Sequence, residues 1–220
     1  MSTLLASIDA EIEKRSLLKH PFYKSWSAGA LSQDDLAIYS QEYFQMVKAV
    51  PEIVRGATTN EEDAIVRDAI DEIQREEAQH VELWERFAGA LGIDGRALAG
   101  HAGSELTTMA IAKLKERSAF SLVRTAAIMY AIEKEQPKIS RTKLDGLEKF
   151  YGMDGNSDGT IYFREHESAD VRHAAVWRGI LSKVEGERDS EALDAAILSL
   201  QTQNAVLDSV MRACAASCER

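Results

Sequence analysis

Apolar residues recur three and four positions apart along almost the whole chain, and this spacing constrains the fold more than any other feature of the sequence. It is the period of a buried helix face, whereas the alternation typical of a half-buried strand is scarce. Only three prolines interrupt 220 residues, and a hydrophobic fraction of 45% suffices for one sizeable core. We therefore expect an all-α fold, a bundle of seven to eight helices that forms a single domain over residues 1–220.

The expected helices start and stop at local signals. Ser32 should cap the second helix, and Pro51 should bend it or end its first half. The aromatic segment from His20 to Trp26 precedes that helix, and residues 92–104 and 152–159 are expected to be connections. The expected helices are Thr3–Leu18, the one that follows Ser32, Asn60–Leu91, Glu105–Arg117, Ser118–Gln136, Lys138–Tyr151, the one that contains residues 162–173, and Asp189–Ser217.

Composition excludes several classes of partner. A formal charge of -10 and a pI near 5.1, without a basic face, argue against nucleic acid and anionic membranes. The only two cysteines, Cys214 and Cys218, give no disulfide framework, as is typical of a reducing compartment. The first residues carry acidic charges where a signal peptide needs an apolar core, and no run approaches the roughly 20 apolar residues of a membrane span. We expect a cytoplasmic protein.

One predicted helix carries three potential metal ligands on one face. His166, Asp170 and His173 stand at positions i, i+4 and i+7 within the stretch YFREHESADVRH. Phe163 and Trp177 nearby suggest that this face is partly buried, where such a cluster needs a cation or hydrogen-bond partners. A solvated helix face with incidental histidines is the alternative on this stretch alone.

Two further helices offer compatible ligands. Glu133 follows one of the most apolar stretches of the chain, where a carboxylate is costly unless it is paired or bound to a metal. His80 follows three glutamates, of which Glu76 shares its helix face, Glu77 nearly does and Glu72 lies about 80° away. Together the three helices hold the ligand inventory of a dinuclear carboxylate site inside a helix bundle.

Several motifs, taken in order, resemble a known family. They lie within Ser16 to Trp177, in this order: HPFYKSW, LAIYSQEYFQMVKAVP, HVELWERFAGALG, AIEKEQPKIS and HESADVRH. They resemble the haem-oxygenase-like diiron oxidases, and within them the CADD-like group of para-aminobenzoate synthases, the chlamydial protein associating with death domains and its bacterial relatives. The H-x3-D-x2-H motif separates the chain from two fold relatives. One of these relatives, thiaminase II, needs a mid-chain cysteine, which this sequence lacks. The other, pyrroloquinoline-quinone synthase, works without a metal.

The resemblance implies a set of metal ligands. It assigns His80, Glu133, His166, Asp170 and His173 to two metal ions. A sixth ligand should be a glutamate seven residues before His80, but Ile73 occupies that position. A one-residue length change would make Glu72 the ligand, which we prefer, whereas uninterrupted helical geometry would choose Glu76.

The resemblance also implies an activity. Members of this group are understood to make para-aminobenzoate for folate synthesis by cleaving one of their own tyrosines, with a lysine as amino donor. Motif alignment gives Tyr23 as the sacrificed residue, Tyr39 as its partner and Lys143 as the donor. The implied cofactors are two metal ions, iron with iron or iron with manganese, with O2 as co-substrate and an external reductant whose donor is unknown. A homodimer is also expected.

Two other functions remain open at this point. A related diiron oxygenase could act on a free amino acid or fatty acid, and a non-catalytic helical interaction protein would need no metal. Tyr23, Tyr39 and Lys143 favour self-cleavage over the first, and the predicted metal face disfavours the second.

Overall fold

The molecule is an all-α bundle, as the apolar spacing predicts. The computed structural model describes residues 3–58 and 63–218, and in these ranges it contains ten α-helices and no strand. Eight of the helices have at least 12 residues. In chain order the helices are α1 (Thr3–Lys14), α2 (Pro21–Ser27), α3 (Gln33–Thr58), α4 (Ala64–Ala90), α5 (Gly95–Gly100), α6 (Glu105–Ser118), α7 (Leu122–Glu133), α8 (Gln136–Phe150), α9 (Ile161–Leu181) and α10 (Arg188–Cys218).

Helix α7 lies at the centre of the bundle. Its residues 126–131 are all at most 2% exposed, and the helix packs against α3, α9 and α10. A helix that is apolar around its whole circumference has no side to offer to water, so the surrounding helices cover it. Glu133, the last residue of this helix, therefore lies in the protein interior.

Three sequence expectations about helix boundaries are corrected. Helix α3 continues through Pro51 to Thr58, so of the two expected effects of this proline, a bend or an end, the end is wrong. The aromatic segment is itself helical, because Pro21–Ser27 form α2. His20 caps this helix by accepting a hydrogen bond from the Phe22 amide, and Pro21 occupies its first turn. The connection after residue 92 also contains a helix, α5, which Asp94 caps.

Polar side chains cap the N-termini of α3 and α4. The Ser32 hydroxyl accepts from the Asp35 amide and the Asp35 carboxylate accepts from the Ser32 amide, which is the reciprocal arrangement of a capping box. Asp63 caps α4 through the Ile65 amide. The expected helix start at Asn60 lies outside the described residues. Within the described ranges, every helix is too short or too polar to cross a bilayer.

The short helix α2 is held against α8 by a close approach. A Cβ atom on Gly146 would lie 2.4 Å from the indole nitrogen of Trp26, so only glycine fits there. The same indole N–H donates to the Lys143 carbonyl at 3.3 Å. This contact fixes α2 beside the segment of α8 that carries Lys143, and so fixes the position of Tyr23.

Candidate metal centre

Helices α4, α7 and α9 bring six potential ligands together in the protein interior. One group consists of Glu77, His80 and His166, and the other of Glu77, Glu133, Asp170 and His173. In each group the ligand atoms lie within 4.8 Å of one another, and every member is buried. Because Glu77 belongs to both groups, the six residues form one continuous cluster with two centres.

Glu77 lies between histidines from two helices. Its Oε1 atom is 3.3 Å from Nδ1 of His80 and 3.4 Å from Nδ1 of His173. Nδ1 of His173 is also 3.6 Å from Oε1 of Glu133 and 3.7 Å from Oδ1 of Asp170. On the other side, the rings of His80 and His166 have centroids 4.2 Å apart.

The cluster fits a pair of metal ions because its polar atoms have too few partners. Both carboxylate oxygens of Glu133 and Asp170, and the Nδ1 atoms of His80 and His173, make no hydrogen bond within the described part of the chain. Buried polar atoms of this kind are costly unless something else binds them. Three imidazoles and three carboxylates are a donor set that suits iron and manganese, and three carboxylates offset most of the charge of two divalent ions.

The pKa values of the cluster residues are shifted by burial and by the charges of their neighbours. Burial, opposed by the contact with His173, raises the pKa of Glu133 to about 7, and burial together with the charge of Glu133 raises that of Asp170. Burial would lower the pKa of His173, but Glu133 and Glu77 raise it to about 11. Burial and the neighbouring His80 lower the pKa of His166 to about 3. Without a metal, retained protons reduce the repulsion between these buried carboxylates. A bound cation would take over that role and leave the carboxylates ionised.

The structure brings together five of the residues predicted from the sequence, but neither predicted upstream glutamate enters the cluster. Glu72 is exposed. The Oε2 atom of Glu76 instead lies 2.7 Å from Nε2 of His173. The same oxygen forms an ion pair with the Arg172 guanidinium at 3.1 Å. Glu77 takes the interior position, which sequence reasoning did not select although the Glu-x-x-His spacing to His80 was visible. The predicted residues and Glu77 remain proposed ligands.

Comparison with known proteins places this geometry in a family. A family model described as an iron-containing redox enzyme, of the haem-oxygenase type, matches residues 44–204. The chain belongs to this family of iron-containing redox enzymes. Its matched segment contains all six residues of the buried cluster.

Two proteins similar to this chain are both named 4-aminobenzoate synthase. This chain is 30% identical to the one from Chlamydia muridarum, over 94% of this chain and 89% of the relative. It is 29% identical to a 4-aminobenzoate synthase of Nitrosomonas europaea, over 87% of this chain and 83% of the relative.

Solved structures agree on the haem-oxygenase-like fold. A TenA homologue of Pseudomonas syringae superposes with a TM-score of 0.82 at 13% identity, covering 96% of this chain and 93% of the other. A domain of unknown function from Shewanella denitrificans with a heme oxygenase-like fold gives 0.75 at 18% identity, with coverages of 95% and 89%.

Aromatic side chains enclose a buried lysine, Lys143, and we call this enclosure the lysine pocket. The Lys143 side chain is fully buried, and its Nζ atom makes no hydrogen bond to any described residue. Five aromatic rings surround it, with centroids 5.0 to 5.7 Å from Nζ: Phe163, Tyr43, Tyr39, Tyr23 and Trp84. The structure thus brings the three residues predicted as catalytic, Tyr23, Tyr39 and Lys143, into one closed pocket.

Burial sets the protonation of this pocket. It lowers the pKa of Lys143 to about 7, so a substantial share of the amine is neutral at neutral pH. Burial also raises the pKa of Tyr23 and Tyr39 well above the ordinary value of a phenol. Tyr23 and Tyr39 are therefore neutral phenols, as is Tyr43, the third tyrosine around the lysine, and the amine can act as a nucleophile.

The lysine pocket and the metal-ligand cluster are neighbours. Tyr162 lies 4.0 Å from His166 between ring centroids and 4.8 Å from Trp84, which faces Lys143. The charge of Lys143 is among the causes that lower the pKa of His166. A layer of aromatic rings therefore lies between the cluster and the side chains around Lys143.

Proposed function

We propose that this chain makes 4-aminobenzoate by cleaving its own Tyr23, with O2 as oxidant, an external reductant and Lys143 as amino donor. One observation carries the proposal: an unpaired buried amine and two phenols share a closed pocket beside the buried ligand cluster. The similarity to relatives named 4-aminobenzoate synthase over most of the chain supports the choice of product.

The atoms of the product define what must break and form. In 4-aminobenzoate one carbon remains on the ring, opposite the amino group, as Cβ stands opposite the hydroxyl in tyrosine. The Cα–Cβ bond of Tyr23 must therefore break and Cβ must be oxidised to a carboxyl group. The phenolic oxygen must leave as water while nitrogen from Lys143 takes its place on the ring. The Cε–Nζ bond of Lys143 must break, with Cε oxidised to an aldehyde, and Cα of Tyr23 must gain a hydrogen, which leaves glycine. Dioxygen accepts the electrons from Cβ, from Cε and from the external reductant.

The proposed metal ligands are His80, His166, His173, Glu77, Glu133 and Asp170. Two ions held there, iron with iron or iron with manganese, would supply the coordination sites and the redox change for the reduction of O2. The protein contributes placement and exclusion of water. Burial keeps Lys143 partly neutral, which leaves its lone pair free, and Trp26 and Gly146 hold α2 so that Tyr23 stays beside that amine.

Tyr39 is proposed as the partner of Tyr23. The charge of Tyr23 is among the causes that raise the pKa of Tyr39, and both rings pack on Phe22, at centroid distances of 5.5 and 4.7 Å. A second phenol in this position can pass an electron and a proton to or from the sacrificed one. Tyr39 also contacts Trp84 at 5.6 Å, which extends the aromatic layer towards the cluster.

The small cavity at the cluster disfavours a free substrate. It measures about 20 Å³, and its walls include Glu77, Glu133 and Asp170. Pockets for small organic ligands usually have on the order of 300 Å³ or more. A free amino acid or fatty acid has no room there, so a substrate built into the chain is the better reading. An interaction protein without catalysis would gain nothing from the unpaired buried ligand atoms.

The proposal is tested by growth of a strain that lacks its own 4-aminobenzoate synthesis. The intact chain should restore growth without added 4-aminobenzoate, and Tyr23→Phe should not, because ring chemistry without the phenol cannot begin. Tyr130→Phe is the matched control, since the Tyr130 hydroxyl binds Asp9 at 2.8 Å outside this pocket. Its growth should equal that of the unchanged chain.

Protein mass separates the remaining functions. After aerobic reaction with iron, manganese and reductant, the intact protein should lose mass within the peptide that contains Tyr23. Full growth with Tyr23→Phe would overturn the choice of this tyrosine. Consumption of O2 without any change of protein mass would favour an oxygenase that acts on a free molecule. A protein that binds no metal would favour the interaction protein.

A further inference from the structure

The small cavity beside the ligand cluster is lined by two chemical kinds of residue. The polar ones are Glu77, Glu133, His166 and Asp170 of the cluster, together with Gln136 and the phenols Tyr43 and Tyr162. The others have side chains without polar hydrogen-bonding groups. They come from α3 and α7: Met46, Val47, Val50, Met129 and Ile132.

The apolar lining residues differ in exposure. Ile132 is partly exposed, Val50 is 7% exposed, and Met46 and Met129 are 2% and 0% exposed. The apolar lining therefore includes residues near the surface as well as fully buried ones, and it borders the same cavity as the carboxylates of the cluster.

The size of the cavity limits what it can hold. A volume of about 20 Å³ exceeds the roughly 10–15 Å³ that one water-sized molecule needs, and is far below that of an organic substrate. The apolar part of the lining gives water few partners, whereas apolar surroundings accept nonpolar gases. Methionine side chains, which are flexible and polarisable, can shift to let a small molecule pass.

We propose that the apolar pocket of Met46, Val47, Val50, Met129 and Ile132 is a dioxygen site, which delivers O2 to the ligand cluster and excludes larger molecules. The inference rests on the proposed function, because only an O2-dependent reaction needs such a site. Tyr43 forms the wall towards the lysine pocket: it lines the cavity, and Lys143 Nζ lies 5.2 Å above its ring. Oxidant and amine are thereby kept in separate compartments until reaction begins.

Dissolved O2 is paramagnetic, so it can be located without any turnover. The protein would be loaded with zinc, which suits imidazole and carboxylate ligands and is itself diamagnetic, and labelled with ¹³C at the methionine methyl groups. Under O2 pressure, the methyl groups of Met46 and Met129 should relax faster than those of the less buried Met153 and Met211. Stronger relaxation of the more buried methyl groups can come only from O2 inside the pocket.

A filling substitution completes the test. Val50→Phe should abolish the relaxation at Met129 and slow the reaction of the reduced iron-loaded protein with O2, while the number of bound metal ions stays the same. Val66→Phe, on α4 and outside the pocket walls, should change neither. Relaxation at Met46 and Met129 weaker than at Met153 and Met211 would overturn the proposal and indicate a cavity that holds only a fixed water, for which Gln136 offers a hydrogen-bond partner.

The test does not depend on product formation. Strong relaxation at Met129 in a protein that makes no 4-aminobenzoate would leave the dioxygen site standing and refute the proposed function. Product formation that is unaffected by Val50→Phe, together with unchanged relaxation, would refute the dioxygen site alone.

Discussion

Glu76 and Glu77 are adjacent in sequence but face different environments. Glu77 is buried between His80 and His173, whereas the Glu76 side chain is 26% exposed and contacts the outer nitrogen of His173. A carboxylate on the far nitrogen of a metal-bound imidazole fixes the orientation of the ring and makes it a better ligand. We therefore assign Glu76 to the orientation of His173 and Glu77 to the metal.

We predict that Glu76→Gln weakens metal binding without removing a ligand. The loss of a carboxylate behind a ligating histidine typically costs about 10- to 100-fold in metal affinity. Glu77→Gln should instead lower the number of ions bound per chain. Competition against a chelator measures both quantities. Glu72→Gln, an exposed change on the same helix, is the control. If that variant lost an ion while Glu77→Gln kept two, Glu72 would be the ligand after all.

Lys143 makes stability depend on pH. Its pKa is lowered to about 7 in the fold, while in the unfolded chain it has the ordinary value of 10.5. Between these values the unfolded chain holds a proton that the folded chain lacks. The free energy of unfolding should therefore rise with pH across this window, by up to about 1.4 kcal/mol per pH unit, and this contribution is lost as pH falls towards 7.

Lys143→Met should remove that slope. An unbranched apolar side chain fills the same space without a charge to desolvate, so the variant should be at least as stable as the unchanged protein at pH 7. It should form no product, because the proposed nitrogen is gone. Denaturant unfolding between pH 7 and 10 gives the slope. The same slope in both proteins would mean that Lys143 remains charged inside the aromatic pocket.

At the scale of helices, the contact between α2 and α8 decides where Tyr23 lies. Gly146→Ala should force α2 away from α8, since the new Cβ atom would meet the Trp26 indole at 2.4 Å. We expect product formation to fall far more than the free energy of unfolding. The ligand cluster is built on α4, α7 and α9, so a shift of α2 leaves it in place. Gly179→Ala on α9 is the control, as its Cβ would have no neighbour within 4 Å. Normal product formation by Gly146→Ala would show that α2 need not be held this closely.

Much of the fold could be predicted from the sequence because the apolar period belongs to each helix alone. The all-α class followed from it. The identity of the upstream carboxylate did not, because Glu76 and Glu77 lie about 40° and 60° to either side of His80 around the helix axis. The side on which α7 and α9 pack decides between them, and that is a property of the bundle. The short α2 was also missed, since seven residues are too few for a period to show.

For the whole molecule, the proposed self-cleavage would have a thermodynamic cost. Tyr23 is 1% exposed and packs against Phe22 at 5.5 Å between centroids, so the loss of its side chain leaves a cavity in the core. Removing a large buried aromatic side chain costs about 3–5 kcal/mol. For a protein of this size each kcal/mol shifts Tm by roughly 2–4 °C.

We therefore predict that the reacted protein melts about 10 °C below the unreacted one, with Tyr23→Gly as the reference for a chain without this side chain. Calorimetry before and after aerobic reaction with iron, manganese and reductant measures the difference once the metals are removed from both samples. Zinc-loaded protein treated in the same way should keep its Tm, because zinc cannot reduce O2. A reacted protein that keeps its Tm while 4-aminobenzoate accumulates must have spared its buried tyrosine, and the ring would then have to come from outside the chain.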